Sequence, residues 1–181
     1  MLRNPLLFLC LLILASGCGV RPGTSGRSNK NFETFFAGSG AGTQYFVKPL
    51  TFYGPGKQSA SVDLTLRDQD FAEGTTTINY SLATEQQLPE KYAIAVIDAN
   101  GDEVFRTASV ERLFQERTRT GFLARYSGKA PNPRVADAFR SGIFLLRTTL
   151  PDGRQLSFAP NAKSQTAIKD LYRDLFSLYE Q

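Results

Sequence analysis

The chain has no histidine, no tryptophan, a single methionine and only two cysteines among its 181 residues. Without histidine, neither a Cys-His nor a Ser-His-Asp nucleophile system can be built, and most zinc and copper ligand sets are lost as well. A catalytic site made only of carboxylates, or a metal site with oxygen ligands, stays open. The composition therefore disfavours catalysis, and we expect a protein that is not an enzyme and has no cofactor and no metal site.

The chain also lacks a strong excess of either charge. It contains 21 Lys and Arg residues and 17 Asp and Glu residues, which gives a net charge of +4. A domain that binds nucleic acid concentrates basic side chains on one face. The excess in this chain is too small to indicate such a domain, so we expect no nucleic-acid partner.

Long apolar runs are absent too. The longest one extends over residues 6–14, follows Arg3 and ends before Ser16 and Gly17. A helix that spans a bilayer needs about 20 apolar residues. A run of nine residues after a positive start is instead typical of a cleaved export signal.

Cys18 follows this run directly, after two small residues. The stretch Leu14-Ala15-Ser16-Gly17-Cys18 resembles the lipobox of bacterial lipoproteins, a resemblance that covers about the first 20 residues. It implies cleavage before Cys18, lipidation (palmitate) of that cysteine and, because position 19 is not Asp, transport to the periplasmic side of the outer membrane. The alternative is an ordinary signal peptide that the general peptidase cuts near Gly17.

Removal of the leader would leave Cys18 as the only cysteine, so the mature chain could form no internal disulfide. Its stability would then come from a hydrophobic core, for which about 164 residues suffice. We predict a signal peptide at 1–17, a lipidated N-terminus and tether at 18–43 that is rich in Gly, Ser and Thr, and one β-rich domain at 44–181.

Most of residues 44–181 has the pattern of strands. Apolar residues alternate with polar ones over 59–68 and 75–83, and residues 92–97 form a continuous apolar run, as in a strand covered on both faces. Asn100-Gly101 and Pro151-Asp152-Gly153 indicate hairpin turns. Eight strand candidates without a repeating β-α-β pattern predict a mostly β fold class: an antiparallel β-sandwich-like domain with short helices and a C-terminal amphipathic helix.

Three helices are predicted. The spacing of Val110, Leu113 and Phe114 favours a short helix over 109–117, and Asn132, as a cap before a proline, begins a second that ends at Gly142. The third, from about 165 to 179, carries an apolar stripe. The stripe either faces the core or serves as a partner surface, with Leu171, Leu175 and Phe176 as the candidates.

The segment from 106 to 140 holds seven arginines and Lys129. Arginine suits bidentate recognition of phosphate and carboxylate. The best candidates for anion binding are Arg117 and Arg119, which would lie on one face of a strand, and Arg125, which would end that strand. The alternative is a solvated face whose arginines form local ion pairs.

Two acidic clusters, at 68–73 and 98–103, suit turns as well as a catalytic pair of carboxylates. The sequence therefore predicts a lipid-anchored, non-catalytic envelope protein that acts as an interaction or assembly module with an envelope protein partner. The alternative is a binding protein for an anionic envelope ligand, such as a lipid head group, a lipopolysaccharide phosphate or a wall glycan. A hydrolase with an all-carboxylate site is the third possibility.

Overall fold

The computed structural model describes residues 29–36, 42–69, 71–150 and 152–179, without the side chains of residues 108 and 109. The leader and Cys18 lie outside these ranges. Cleavage and acylation at Cys18 therefore stay predictions.

Strands make up most of the described chain. In chain order they are β1 (Phe32–Phe36), β2 (Thr43–Tyr53), β3 (Ser59–Arg67), β4 (Thr75–Thr84), β5 (Lys91–Ile97), β6 (Glu103–Thr118), β7 (Gly121–Pro131), β8 (Leu145–Thr149) and β9 (Gln155–Pro160). The helices are α1 (Asn132–Arg140), α2 (Ala162–Asp174) and a 3₁₀ helix (Phe176–Tyr179). The predicted mostly β class with short helices and a C-terminal amphipathic helix is confirmed.

One antiparallel sheet contains all nine of these strands, in the order β1-β2-β3-β4-β7-β6-β5-β8-β9. A further pairing joins the last strand of this order to the second, because Phe52 and Tyr53 of β2 pair with Pro160 and Ala159 of β9. Strands β2 to β9 therefore close into a ring with β1 outside it, and the inward-facing side chains form one core.

The predicted alternation is visible along β3. Val62, Leu64 and Leu66 are buried, whereas Thr65 and Arg67 lie on the outer face. The hairpin at 100–101 is also present, since Gly101 has a φ of +92° between the paired strands β5 and β6. Period-two alternation thus assigned both the strands and the faces they bury.

The predicted helix over 109–117 is wrong, because these residues belong to the long strand β6. Its pairing with β7 shifts register between Arg112 and Phe114. A bulge of this kind inserts one residue and interrupts the two-residue alternation. The bulge therefore explains why the apolar residues of this segment do not follow a spacing of two and why their spacing resembled that of a helix.

Helix α1 is confirmed, but the predicted role of Asn132 is not. Pro131 occupies the cap position, and no side chain caps the helix. Asn132 is the first helical residue, is only 1% exposed, and accepts a hydrogen bond from the Thr76 hydroxyl at 2.7 Å. Gly142, with a φ of +71°, follows the helix as predicted.

Helix α2 begins at Ala162, where the side chain of Asn161 accepts a hydrogen bond from the Ser164 amide at 2.8 Å. Leu171, Leu175 and Phe176 are fully buried in the core. Their burial leaves no surface for a partner, so the apolar stripe is part of the core. None of the helices in the described ranges is long and apolar enough to cross a bilayer.

Strand β1 lies within the segment predicted as a tether. Phe32 is buried in the core, and β1 pairs with β2 along its whole length. Just before it, Lys30 forms an ion pair with Asp170 at 2.8 Å, and Asn29 donates a hydrogen bond to Asp174 at 3.1 Å. The first described residues, Asn29 and Lys30, are therefore fastened to α2.

Candidate functional site

A groove of about 410 Å³ lies on the outer face of the sheet, across β2, β3, β4 and β7. The side chains that give it its chemistry come from these strands and from the first residue of α1: Gln44, Thr65, Arg67, Thr77, Lys129 and Asn132. All except Asn132 point outward, because side chains alternate between the two faces of a strand and these residues occupy the positions that face away from the core.

Strand register aligns three of these residues with Phe46, which lies beside the groove and is not one of its lining residues. Phe46 pairs with Thr65, Thr65 with Thr77, and Thr77 with Lys129, so they form one outward row over four strands. Neighbouring strands are about 4.8 Å apart. The row is therefore about 14 Å long between the Cα atoms of Phe46 and Lys129.

Arg67 lies two residues further along β3 than Thr65 and pairs with Gln44. Its Cα atom is therefore about 12 Å from that of Lys129, from two strand spacings and two residues along the strand. Both side chains are long enough to reach over the groove between them.

Positive charge in the groove is not neutralised by the described part of the chain. The side chains of Arg67 and Lys129 are exposed and form no hydrogen bond or ion pair with any described residue. No carboxylate is among the described residues that line the groove. The neighbouring Asp68 does not line it and instead accepts a hydrogen bond from the Thr43 amide at 2.7 Å.

Asn132 contributes a buried amide to the groove. Its Oδ1 accepts a hydrogen bond from the Thr76 hydroxyl, and its backbone N–H donates one to the Gly74 carbonyl at 3.0 Å. Its Nδ2 donates to no residue in the described ranges. Nδ2 is not among the described atoms that are fully buried without a partner, so it reaches the surface of the groove, where it can donate to water or to an oxygen atom of a ligand.

The groove therefore offers a guanidinium, an ammonium, an amide donor and several hydroxyls. These groups recognise phosphate or carboxylate oxygens through charge-assisted hydrogen bonds. The arrangement is chemically suited to binding an oxygen-rich anion.

The structure does not bring the three predicted arginines onto one face. The chain turns back between Thr118 and Gly121, so Arg117 lies at the end of β6, Arg119 in the turn, and Arg125 within β7. Arg117 pairs with Phe122, whereas Arg125 pairs with Phe114, three residues away on β6. An odd separation along a strand places two side chains on opposite faces.

Arg125 is also engaged in a network of its own. It donates to Asp63 and to Ser81, each at 2.7 Å, and Asn79 donates to Asp63 at 2.8 Å. Other basic side chains of the same segment pair locally, as Arg112 does with Glu90. Most of these contacts fit the alternative of a solvated face with local ion pairs.

The acidic cluster at 98–103 forms hydrogen bonds within its turn. Asp98 accepts hydrogen bonds from the amides of Asn100 and Asp102, both at 2.9 Å, and Glu103 pairs with Arg106. Asp70 lies outside the described residues. Over the ranges that the structure describes, no group of three or more Asp, Glu, Cys or His side chains is placed to hold a metal ion.

Space inside the closed sheet is too small for a ligand. A gap lined by Tyr80, Phe139 and Phe144 amounts to about 10 Å³, whereas ligand sites occupy hundreds of Å³. Core side chains fill this part of the described interior, and the groove on the outer face is the larger concave space.

Sequence reasoning missed Arg67 and Asn132 and named Lys129 only as one member of the basic segment. The outward position of Arg67 could be found from the alternation along β3. Its approach to Lys129 depends on the pairing of β4 with β7, which local patterns do not reveal.

Comparison of the chain with protein-family models, curated proteins and solved structures finds no match. Its function must therefore be argued from the geometry of the groove and from the N-terminal sequence.

Proposed function

We propose that the chain is a lipid-anchored, non-catalytic binding protein on the periplasmic side of a bacterial outer membrane, and that its groove binds an anionic envelope ligand. The observation that carries this proposal is the groove itself. Two cations without a partner in the described chain, Arg67 and Lys129, border it together with the Asn132 amide, and no described carboxylate lines it.

The anchor would hold this groove close to the membrane. Ten residues separate Cys18 from Asn29, the first residue with a described contact to the domain. A Gly- and Ser-rich tether of this length spans roughly 17 Å on average. The domain would therefore reach ligands that belong to the membrane or to the wall beside it, and several acyl chains would make the attachment stable.

The groove also favours ligand binding over the other function predicted from the sequence, docking of an envelope protein partner. The surface predicted for such a partner, Leu171, Leu175 and Phe176, is buried. A smaller hollow of about 140 Å³ is lined by Lys30, Lys48 and Lys163. Lys30 pairs with Asp170 and Lys48 with Glu33, so more of the positive charge of the groove than of this hollow is left for a ligand.

The proposal is tested by retention of the detergent-solubilised protein on immobilised lipopolysaccharide and on wall fragments. Arg67→Gln combined with Lys129→Gln should lower retention on at least one of them tenfold or more. The matched control is Arg117→Gln combined with Arg119→Gln, which removes the same charge at the β6–β7 turn and should leave retention unchanged. Equal retention of the two double variants on both supports would contradict the proposal.

A further inference from the structure

We infer that the ligand of the groove is an acidic glycan, with one sugar ring stacked on Phe46 and its acidic group at Lys129 and Arg67. This inference rests on the proposed anion-binding function and narrows it to a chemical class. It follows from the composition of the outward row and from its length.

Phe46 is the apolar member of that row. Its ring is 42% exposed, although its neighbours on β2, Tyr45 and Val47, pack into or against the core. Across the sheet it faces the Thr65 hydroxyl on one side and Glu33 on the other. An aromatic ring presented on a polar face offers the apolar, rigid surface on which the C–H face of a pyranose ring packs.

The hydroxyls of Thr65 and Thr77 follow Phe46 toward Lys129. A hydroxyl both donates and accepts hydrogen bonds, which matches the hydroxyl groups of sugars, themselves donors and acceptors. Lys129 and Arg67 then supply the positive charge that a carboxylate or phosphate needs. The order of groups along the row is therefore aromatic, hydroxyl, hydroxyl, cation.

The length of the row distinguishes an extended ligand from a compact one. An inorganic phosphate would contact the cations and the Asn132 amide and leave Phe46 and Thr65 unused. The distance of about 14 Å between the ends of the row corresponds instead to two or three linked sugars. Charge, hydroxyls and aromatic surface along one line thus favour a short segment of acidic oligosaccharide.

Isothermal titration calorimetry of the detergent-solubilised protein tests this inference with four probes. They are a tetrasaccharide of alternating N-acetylglucosamine and N-acetylmuramic acid, the neutral tetrasaccharide of N-acetylglucosamine, the phosphorylated core oligosaccharide of lipopolysaccharide, and inorganic phosphate. We expect at least one acidic oligosaccharide to bind ten or more times tighter than both the neutral sugar and phosphate. Which of the two binds tells whether the acid is a carboxylate or a phosphate.

The variants separate the aromatic contribution from the charge. Phe46→Ala, and Phe46→Leu, which keeps most of the apolar volume, should each weaken the acidic oligosaccharide about tenfold or more and leave phosphate unchanged. Phe114→Ala is the matched control, since Phe114 is equally exposed, at 44%, and pairs with Arg125 on the outer face. It should leave all four affinities as in the wild type.

Two results would count against the inference in different ways. If phosphate binding depends on Arg67 and Lys129 but neither Phe46 variant changes any affinity, the acidic glycan is wrong and the anion-binding function stands. If no probe binds in a manner that depends on Arg67 and Lys129, both proposals are wrong.

Discussion

The Arg125 guanidinium lies 2.7 Å from the Asp63 carboxylate, across the strand that separates β3 from β7. Asn79, on that intervening strand, donates to the same carboxylate. A side chain chosen from the sequence as an anion-binding residue is thus already paired within the sheet. Arg125 stabilises the outer face, and the unpaired cations of the groove lie elsewhere.

Replacement of Arg125 by Met should therefore affect stability and leave ligand binding intact. The pair is partly buried, with side-chain exposures of 29% and 20%. We expect the free energy of unfolding to fall by about 1–2 kcal/mol in urea denaturation, with retention on lipopolysaccharide and wall fragments as in the wild type. Loss of retention in a folded Arg125→Met protein would assign Arg125 to the ligand site instead.

Two substitutions in the C-terminal segment test the conclusion that its apolar stripe belongs to the hydrophobic core. Phe176 is fully buried and lies 4.6 Å from Phe139 between ring centroids, whereas Leu178 is 60% exposed. Phe176→Ala should cost about 3–5 kcal/mol in the free energy of unfolding, and Leu178→Ala should change it by less than about 0.5 kcal/mol. Similar effects of the two substitutions would contradict the burial of the stripe.

Acid should weaken the contact between the N-terminal segment and α2. The hydrogen bond from Lys30 is the largest cause that holds the pKa of Asp170 below its ordinary value, with Arg173 adding to it. A carboxyl group with a lowered pKa contributes stability that is present above its unfolded pKa of about 3.9 and is lost as the pH falls through the folded pKa.

Urea denaturation between about pH 5 and pH 2 should therefore show a steeper loss of stability in the wild type than in Asp170→Asn, because Asn does not titrate in this range. The protection of the β1 amides against hydrogen exchange, taken relative to the intrinsic exchange rate at each pH, should fall in the same window. Identical pH profiles for the two proteins would mean that the ion pair of Lys30 and Asp170 adds nothing to stability.

The lipid anchor is a prediction from residues 14–18 alone. Cells grown with labelled palmitate should incorporate label into the wild-type protein and not into Cys18→Ser, because that thiol is the only acylation site the resemblance implies. The uncleaved leader should also persist in the variant, visible as a larger species on a gel. Undiminished label after the substitution would refute the anchor.

Local patterns predicted much of the fold, for physical reasons that particular residues illustrate. Val62, Leu64 and Leu66 alternate with polar residues because one face of β3 is buried, and the Asn100-Gly101 turn supplies the positive φ that its hairpin needs. The bulge in β6 defeated the same method, since one inserted residue changes the period.

The groove could not be predicted from local patterns, because it is formed by pairing between strands that are far apart in sequence. Lys129 reaches the outward row of Thr65 only because β7 pairs with β4 on one side, in addition to its sequence neighbour β6 on the other. Asn132 looked like a helix cap by its position before a proline, but its side chain bonds to Thr76, 56 residues away. Charge and turn preferences in the sequence indicate which residues are candidates for a site, but strand pairing and register decide which of these residues lie next to each other.

The central claim, that the groove binds an anionic envelope ligand, is tested most directly by a titration of the ¹⁵N-labelled protein followed by two-dimensional NMR. The probe is the tetrasaccharide of alternating N-acetylglucosamine and N-acetylmuramic acid, with the phosphorylated core oligosaccharide of lipopolysaccharide as the second titrant. We predict that the largest shifts fall on the amides of Thr65, Thr77 and Lys129 and on the side-chain amide of Asn132, with Arg117 and Arg119 unmoved. Shifts confined to the β6–β7 turn at Arg117 and Arg119, or none in the groove with either titrant, would contradict the account.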